Sequence, residues 1–169
     1  TGSLKVTGNT LDNTKGTLTS NAVLTAKATT ESTEEGSPDA LVNTDGTISA
    51  KSVTLEATNT TIDNSSGTVT ADTVDITAKS LNNSKGTITA LAKTDNALAL
   101  SLNTLSSNAD GTIQTNAENV ELKDITHFNN AKGKFLHAGK GTLTFTNFGT
   151  IDNSNSGSQE SDGGSIQSN

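Results

Sequence analysis

A short polar motif recurs along the chain and limits the possible folds more than any other feature of the sequence. The motif centres on a glycine, with asparagine three positions before it and a large apolar residue two positions after it. Successive glycines are 30, 21, 19, 25 and 22 residues apart. The glycines are Gly16, Gly46, Gly67, Gly86, Gly111 and Gly133; the asparagines are Asn13, Asn43, Asn64, Asn83, Asn108 and Asn130; the apolar residues are Leu18, Ile48, Val69, Ile88, Ile113 and Phe135.

The segments between these motifs alternate apolar and polar residues. In "SVTLEA" (52–57) and "TVDITA" (73–78), valine, leucine and isoleucine fall on one face, while threonine and acidic residues fall on the other. A period of two is typical of β-strands, and threonine, valine and isoleucine suit a pleated, half-buried surface. A leucine, isoleucine or phenylalanine also stands five positions before five of the glycines; Ser106 is the exception, with Leu105 one residue out of register.

This repeat predicts an all-β fold, a parallel β-helix (solenoid) with about 20 residues per coil and roughly seven or eight coils. Equivalent residues of neighbouring coils would lie above one another at about 4.8 Å. The apolar positions then form internal ladders, and each asparagine amide can bond to the asparagines above and below it. The glycines are expected to supply a positive φ at the corner. We therefore interpret these asparagines and glycines as structural residues and not as ligands.

Charge and composition argue against several classes of function. The net charge is −7 and every one of the 11 basic residues is lysine, which disfavours binding to nucleic acid or to an anionic membrane. Without cysteine there is no disulfide framework or thiolate chemistry. No apolar run is long enough to span a membrane. The sequence opens at Thr1 within the pattern and without a recognisable signal peptide, so we expect it to be a piece of a longer chain.

The longest interval between glycines contains an acidic insertion, "TTESTEEGSPDA" (29–40). We expect this segment to form a loop that leaves the rod. Long loops on a rigid scaffold often carry recognition, and a solvated insertion without a partner is the alternative. The spacing of its acids matches neither an EF-hand nor a glycine-rich calcium repeat, so no metal site is assigned. The candidate partner-binding residues are Glu31, Glu34, Glu35 and Asp39.

A second departure from the repeat lies near the end of the chain, at 125–151, where all four phenylalanines and both histidines occur. Phe128 and Phe135 fall in core register, and we predict that they are ladder residues of wider coils. His127 and His137 have no cysteine or carboxylate at ligand spacing, and we interpret them as surface or edge residues. The domain organisation is therefore a solenoid over 1–153 and a Ser/Gly-rich end over 154–169, which is either a last imperfect coil or a flexible tail.

The segments "LDNTKGTLTS", "LVNTDGTISAKSVTLEA", "IDNSSGTVTADTVDITA" and "LNNSKGTITA" resemble the haemagglutinin repeats of filamentous haemagglutinin-like exoproteins. That family includes two-partner-secretion adhesins and the stalk proteins of contact-dependent growth inhibition systems. The resemblance covers about 11–153 and implies a right-handed parallel β-helix that is exported through an outer-membrane two-partner-secretion transporter. It also implies display at the outer surface of a Gram-negative bacterium and a receptor, protein or glycan, on a host or neighbouring cell.

The leading hypothesis for function is a rod segment of a secreted surface adhesin, without catalytic, cofactor-binding or metal-binding residues. A pure structural spacer of a growth-inhibition toxin is one alternative. Another is a polysaccharide-active enzyme, in which Asp12 and Asp63 form a conceivable carboxylate pair two coils apart; the absence of arginine disfavours a lyase. Ice binding is a third alternative because of threonine runs such as 142–146, although the irregular intervals disfavour a flat threonine face.

Overall fold

The computed structural model describes residues 2–30, 40–154 and 163–169, and this part of the chain is all β, with no helix. The strands are β1 Leu4–Gly8, β2 Leu11–Asp12, β3 Thr17–Thr19, β4 Val23–Ala28, β5 Leu41–Val42, β6 Thr47–Ser49, β7 Ser52–Asp63, β8 Thr68–Ala71, β9 Thr73–Asn82, β10 Thr87–Ala90, β11 Leu98–Ser107, β12 Thr112–Thr115, β13 Val120–Lys123, β14 His127–Asn129, β15 Lys134–His137, β16 Leu143–Thr146, β17 Thr150–Asp152 and β18 Ser165–Ser168.

The paired strands are parallel and belong to three sheets. Sheet A has nine strands: seven in the order β1-β4-β7-β9-β11-β14-β17, and in addition β5, which pairs with β7, and β2, which pairs with β5. Sheet B has seven strands in the order β18-β15-β12-β10-β8-β6-β3, and sheet C consists of β13 and β16. Neighbours in sheet B are one coil apart in the sequence, so the chain winds as a β-solenoid. The predicted parallel β-helix is confirmed.

The coils are somewhat fewer and longer than the predicted seven or eight coils of about 20 residues. The structure has about six turns, with equivalent strands roughly 23 residues apart. The extra length lies in corners such as residues 91–97 between β10 and β11, which join strands without pairing as strands themselves. Because sheet B contains seven strands, six steps of about 4.8 Å give a rod of about 29 Å along the stacking axis.

The apolar residues that follow the corner glycines form one ladder along sheet B. Each of the five central members of this ladder is 0% exposed, and each pairs in register with the equivalent residue of the next coil. Burying a side chain of this size contributes about 1.5–3 kcal/mol relative to leaving it exposed. The ladder consists of Leu18, Ile48, Val69, Ile88, Ile113, Phe135 and Ile166.

The irregular spacing at Leu105 is accommodated by a local shift in the strand register. Leu105 pairs with Leu81 and is 0% exposed, so it occupies the core position of its coil. The register then shifts between Leu105 and Ser107, which pairs with Asn82. An extra residue in one strand is the definition of a β-bulge, and it allows the coil to keep both its apolar residue and its asparagine in register.

Candidate functional site

The asparagines of the repeat form a continuous ladder of side-chain hydrogen bonds inside one corner of the rod. Each amide donates to the Oδ1 atom of the asparagine in the next coil, at 2.7–2.8 Å. Asn43, Asn64, Asn83, Asn108 and Asn130 are at most 1% exposed. These side chains therefore hold the coils together and do not present atoms to a ligand.

The ladder has a seventh member, Asn153, which has no glycine three positions after it and therefore does not match the repeat. Its Oδ1 accepts a hydrogen bond from the amide of Asn130 at 2.8 Å, and its own amide donates to the carbonyl of Gly164 at 2.9 Å. Gly164 takes the place of a corner glycine, although it follows the asparagine by eleven positions instead of three. The strand after Gly164, β18, then pairs with β15, so the end of the chain belongs to sheet B.

The corner glycines have a different role from the one that the sequence predicts. Positive φ values occur at the residue before each glycine and range from 53° to 60°; no corner glycine has such a φ. Glycine is required at the next position because a Cβ on Gly86 would overlap the carbonyl oxygen of Asn64 and lie 2.6 Å from Asn83 Oδ1. The expectation of positive φ at glycine was wrong. The residues with positive φ at these corners are Lys15, Asp45, Ser66, Lys85, Asp110 and Lys132.

Residues 31–39 of the acidic segment (29–40), which include the candidate partner-binding residues Glu31, Glu34, Glu35 and Asp39, lie outside the described residues. The described residues at the two ends of this segment take part in the solenoid, although the sequence assigns them to the loop. The N–H groups of Thr29 and Thr30 donate to the carbonyls of Gly8 and Asn9, and the N–H of Ala40 donates to Thr61. The rod is therefore hydrogen-bonded up to Thr30 and again from Ala40.

The two histidines have different environments. His127 is exposed and its Nδ1 lies 2.6 Å from Thr150 Oγ1, in agreement with a surface position. His137 is only 2% exposed, so the prediction of a surface or edge position was wrong for this residue. Its Nε2 lies 2.9 Å from the carbonyl oxygen of Ala117, and its Nδ1 lies 2.8 Å from Ser168 Oγ. His137 is therefore a buried connector between three coils.

The four phenylalanines form one aromatic cluster in the core of the last coils. Phe128 and Phe135 are 0% exposed, which confirms their predicted ladder positions. Phe128 makes edge-to-face contacts with Phe135, Phe145 and Phe148, with ring centroids 5.9–6.1 Å apart. Such pairs contribute about 0.5–1.5 kcal/mol beyond their buried area. None of these rings is arranged as an exposed binding platform.

The carboxylates of Asp12 and Asp63 lie in one column of sheet A, with Val42 between them. Hydrogen bonds from the side chain and backbone of Thr14 hold the pKa of Asp12 below its usual range. Asp63 accepts hydrogen bonds from Ser65 and Thr44. Both carboxylates therefore cap local turns.

A groove of about 560 Å³ opens on the side of the rod where sheet A is interrupted between β11 and β13. The residues around it include the core residues Leu98, Leu100 and Leu102, which are only 1–6% exposed, and the charged residues Glu121, Lys123 and Asp124. β13 follows β11 by one coil, as β11 follows β9, yet β13 pairs with β16 alone. We call this interruption, between Leu98–Leu102 and Val120–Lys123, the split.

The chain adopts a left-handed conformation at Asp124, directly after β13. The φ of Asp124 is 59°. Asn147, one coil further on, has a φ of 55°, and its amide donates to Asp124 Oδ1 at 3.2 Å. Aspartate and asparagine tolerate this left-handed conformation, which ends the extended strand.

Among the described residues, no group of three or more histidines, cysteines or acids is placed to hold a metal ion. Nor does this part of the chain contain a helix that is long and apolar enough to cross a membrane. Comparison of the chain with protein-family models, with curated proteins and with solved structures finds no match. The class that the fold defines is therefore a parallel β-solenoid, and its function has to be inferred from its own geometry.

Proposed function

We propose that this chain is a rod segment of a large secreted adhesin of the filamentous haemagglutinin type, which supports or mediates attachment to host or neighbouring cells. The observation that carries the proposal is the asparagine ladder, which runs without interruption from Asn13 to Asn153. A ladder of this kind fixes each coil to the next, and a stack of fixed coils is a rigid spacer along one axis.

The composition of the chain supports the same proposal. Each coil is stabilised mainly by its neighbour, so a solenoid without disulfides can fold coil by coil as it leaves a membrane pore. We propose export through an outer-membrane two-partner-secretion transporter and residence at the bacterial outer surface. The partner in this proposal is a protein or glycan receptor on a cell surface, and the negative charge of the chain argues against nucleic acid.

Attachment can be tested with fluorescent beads that carry the folded chain. We expect saturable binding to epithelial cells or to Gram-negative bacteria, with displacement by the same chain added in solution. Beads that carry the Ile88→Asp variant are a control for the folded rod, because this substitution places a carboxylate in the core ladder.

Failure of the beads to bind any cell surface or glycan would contradict the adhesive role and leave the spacer alternative. Release of reducing ends from acidic or neutral polysaccharides by the purified chain would replace both with the enzyme alternative.

A further inference from the structure

Two columns of mostly hydroxyl-bearing residues cover the outer face of sheet B. Strands β3, β6, β8, β10 and β12 each direct one apolar residue to the core and the residues on either side of it outward. Neighbouring strands pair in register, so the outward residues of successive coils lie above one another. We call these two columns the threonine array: Thr17, Thr47, Thr68, Thr87 and Thr112 in the first, and Thr19, Ser49, Thr70, Thr89 and Gln114 in the second.

Sheet B is regular although the intervals between the corner glycines are not. No strand pair of sheet B has a register shift among the described residues, whereas sheet A has shifts after Ala57 and Leu105. The asparagine ladder precedes these strands, and all of its bonds are 2.7–2.8 Å long. Side-chain ladders of this kind are one of the devices that keep a sheet flat. The irregular intervals are therefore absorbed outside the threonine array.

The hydroxyl groups of the array are available to an external ligand. Within the described part of the chain, none of them takes part in a side-chain hydrogen bond. Neither column has a charged residue in these five strands, and the next strand brings the first one, Lys134. The outer face of sheet A differs, because its columns contain Lys27, Glu56 and Asp75. A ligand of the array is therefore expected to be uncharged and rich in hydrogen-bonding groups.

The spacing of the array follows from strand geometry. Neighbours within a column are one coil apart, at about 4.8 Å, and the two columns are two residues apart along each strand, at about 6.6 Å. These spacings differ by about a tenth or less from the edges of the rectangular pattern of oxygen atoms on the prism face of hexagonal ice. A hydroxyl group donates one hydrogen bond and accepts two, so it can take the place of a water molecule at such a surface. Because χ1 of threonine is restricted, little freedom is lost on binding.

We propose that the threonine array is a binding site for ice, with the outer face of sheet B against the crystal. Each hydroxyl group contributes little, but the solenoid holds all of them at fixed spacing, and linked contacts bind far more tightly than single ones. The threonine run at 142–146 is not part of this site, because β16 pairs with β13 and Thr146 donates to Glu121. The inference does not depend on the adhesive role, and the two are tested separately.

The test uses the full 169-residue chain and a single ice crystal in a nanolitre osmometer. We expect a gap between the melting and freezing temperatures that increases with the concentration of the chain, and faceted growth of the crystal. A fluorescently labelled chain should also adsorb to the prism faces of a larger ice crystal. Serum albumin at the same concentration is the control for the effect of solute alone.

Lysine substitutions place the binding surface on one face of the rod. Thr87→Lys and Thr70→Lys put a long charged side chain in the middle of the first and the second column. The matched control is Thr54→Lys, which replaces a half-buried, outward threonine of sheet A. We expect the first two variants to raise the concentration needed for a given gap by about fivefold or more, and the control to change it by less than about twofold. Far-UV circular dichroism and urea unfolding establish that each variant is folded.

Three results would overturn the proposal. The first is a folded chain that produces no temperature gap and does not adsorb to ice. The second is an equal loss of activity in Thr87→Lys and Thr54→Lys, which would place the effect outside the array. The third is adsorption to crystalline cellulose or chitin and not to ice, which would assign this face to a polysaccharide.

Discussion

Replacement of Asn83 by alanine tests whether the asparagine ladder stabilises the rod. Asn83 is 0% exposed; its amide donates to Asn108 Oδ1 at 2.7 Å, and its own Oδ1 accepts from Asn64 at 2.8 Å. Alanine removes both hydrogen bonds. Asn108 Oδ1 then loses the N–H that it accepts from, and one N–H of the Asn64 amide loses its acceptor. Each buried polar group that loses its partner costs about 1–3 kcal/mol, so we expect a loss of about 2–6 kcal/mol in the free energy of unfolding.

The matched control is Asn13→Ala at the first corner. Asn13 is only partly buried and has one ladder neighbour, Asn43. We expect this variant to lose about 1 kcal/mol, because solvent can replace the lost contact. A third variant, Asn83→Asp, keeps an acceptor but lacks the donor at neutral pH, and it buries a charge; it should be at least as unstable as Asn83→Ala.

Urea unfolding followed by far-UV circular dichroism measures the differences between these variants. Hydrogen exchange at the β10 amides shows whether the loss is local to the affected coil or affects the whole rod. If Asn83→Ala costs no more than Asn13→Ala, the buried ladder does not contribute the expected stability and the reasoning is refuted.

Three further predictions concern the core, the corner and a surface carboxylate. Ile88→Asp places an unpaired charge at a 0% exposed position and should abolish cooperative unfolding; a native-like melting curve would contradict this. Gly86→Ala should destabilise the rod by about 2 kcal/mol or more, because the added Cβ meets the Asn64 carbonyl, whereas Lys85→Gly should be tolerated since Lys85 has a φ of 57°. Burial, and then the nearby Glu56, raises the pKa of Asp75, so its ionisation destabilises the fold. The advantage of Asp75→Asn in urea unfolding should therefore be small below the usual Asp pKa and grow as the pH rises through and above it; an advantage that is the same at every pH would contradict this.

Several of these features can be derived from the sequence because they repeat. The interval between glycines and the alternation of apolar residues are local patterns, and stacking is the only way for such short strands to bury their apolar face. The ladders at Ile88 and Asn83 follow directly, since equivalent positions in a stack lie above one another. Phe128 and Phe135 were assigned to the core for the same reason.

Features that depend on contacts between coils could not be derived in this way. Glycine is required at position 86 because of the carbonyl of Asn64 in the neighbouring coil, and that carbonyl comes close only after stacking. Gly164 follows Asn153 by eleven residues, whereas in the repeat the glycine follows the asparagine by three residues. The repeat therefore does not identify Gly164 as a corner glycine. His137 has no local signal for burial, because its partners at Ala117 and Ser168 lie in other coils.

The sequence by itself determined the class of fold, the inward-facing residues and the chemistry of the asparagine corner, because the residues responsible for each of these recur in every coil. Only the tertiary structure decided where the stack is imperfect. Leu98–Leu102 pairs with β9 on one side, but β13 in the next coil pairs with β16 and not with β11. Hydrogen bonding between strands depends on their relative position in space, and the residues of one strand do not specify whether the next coil reaches it.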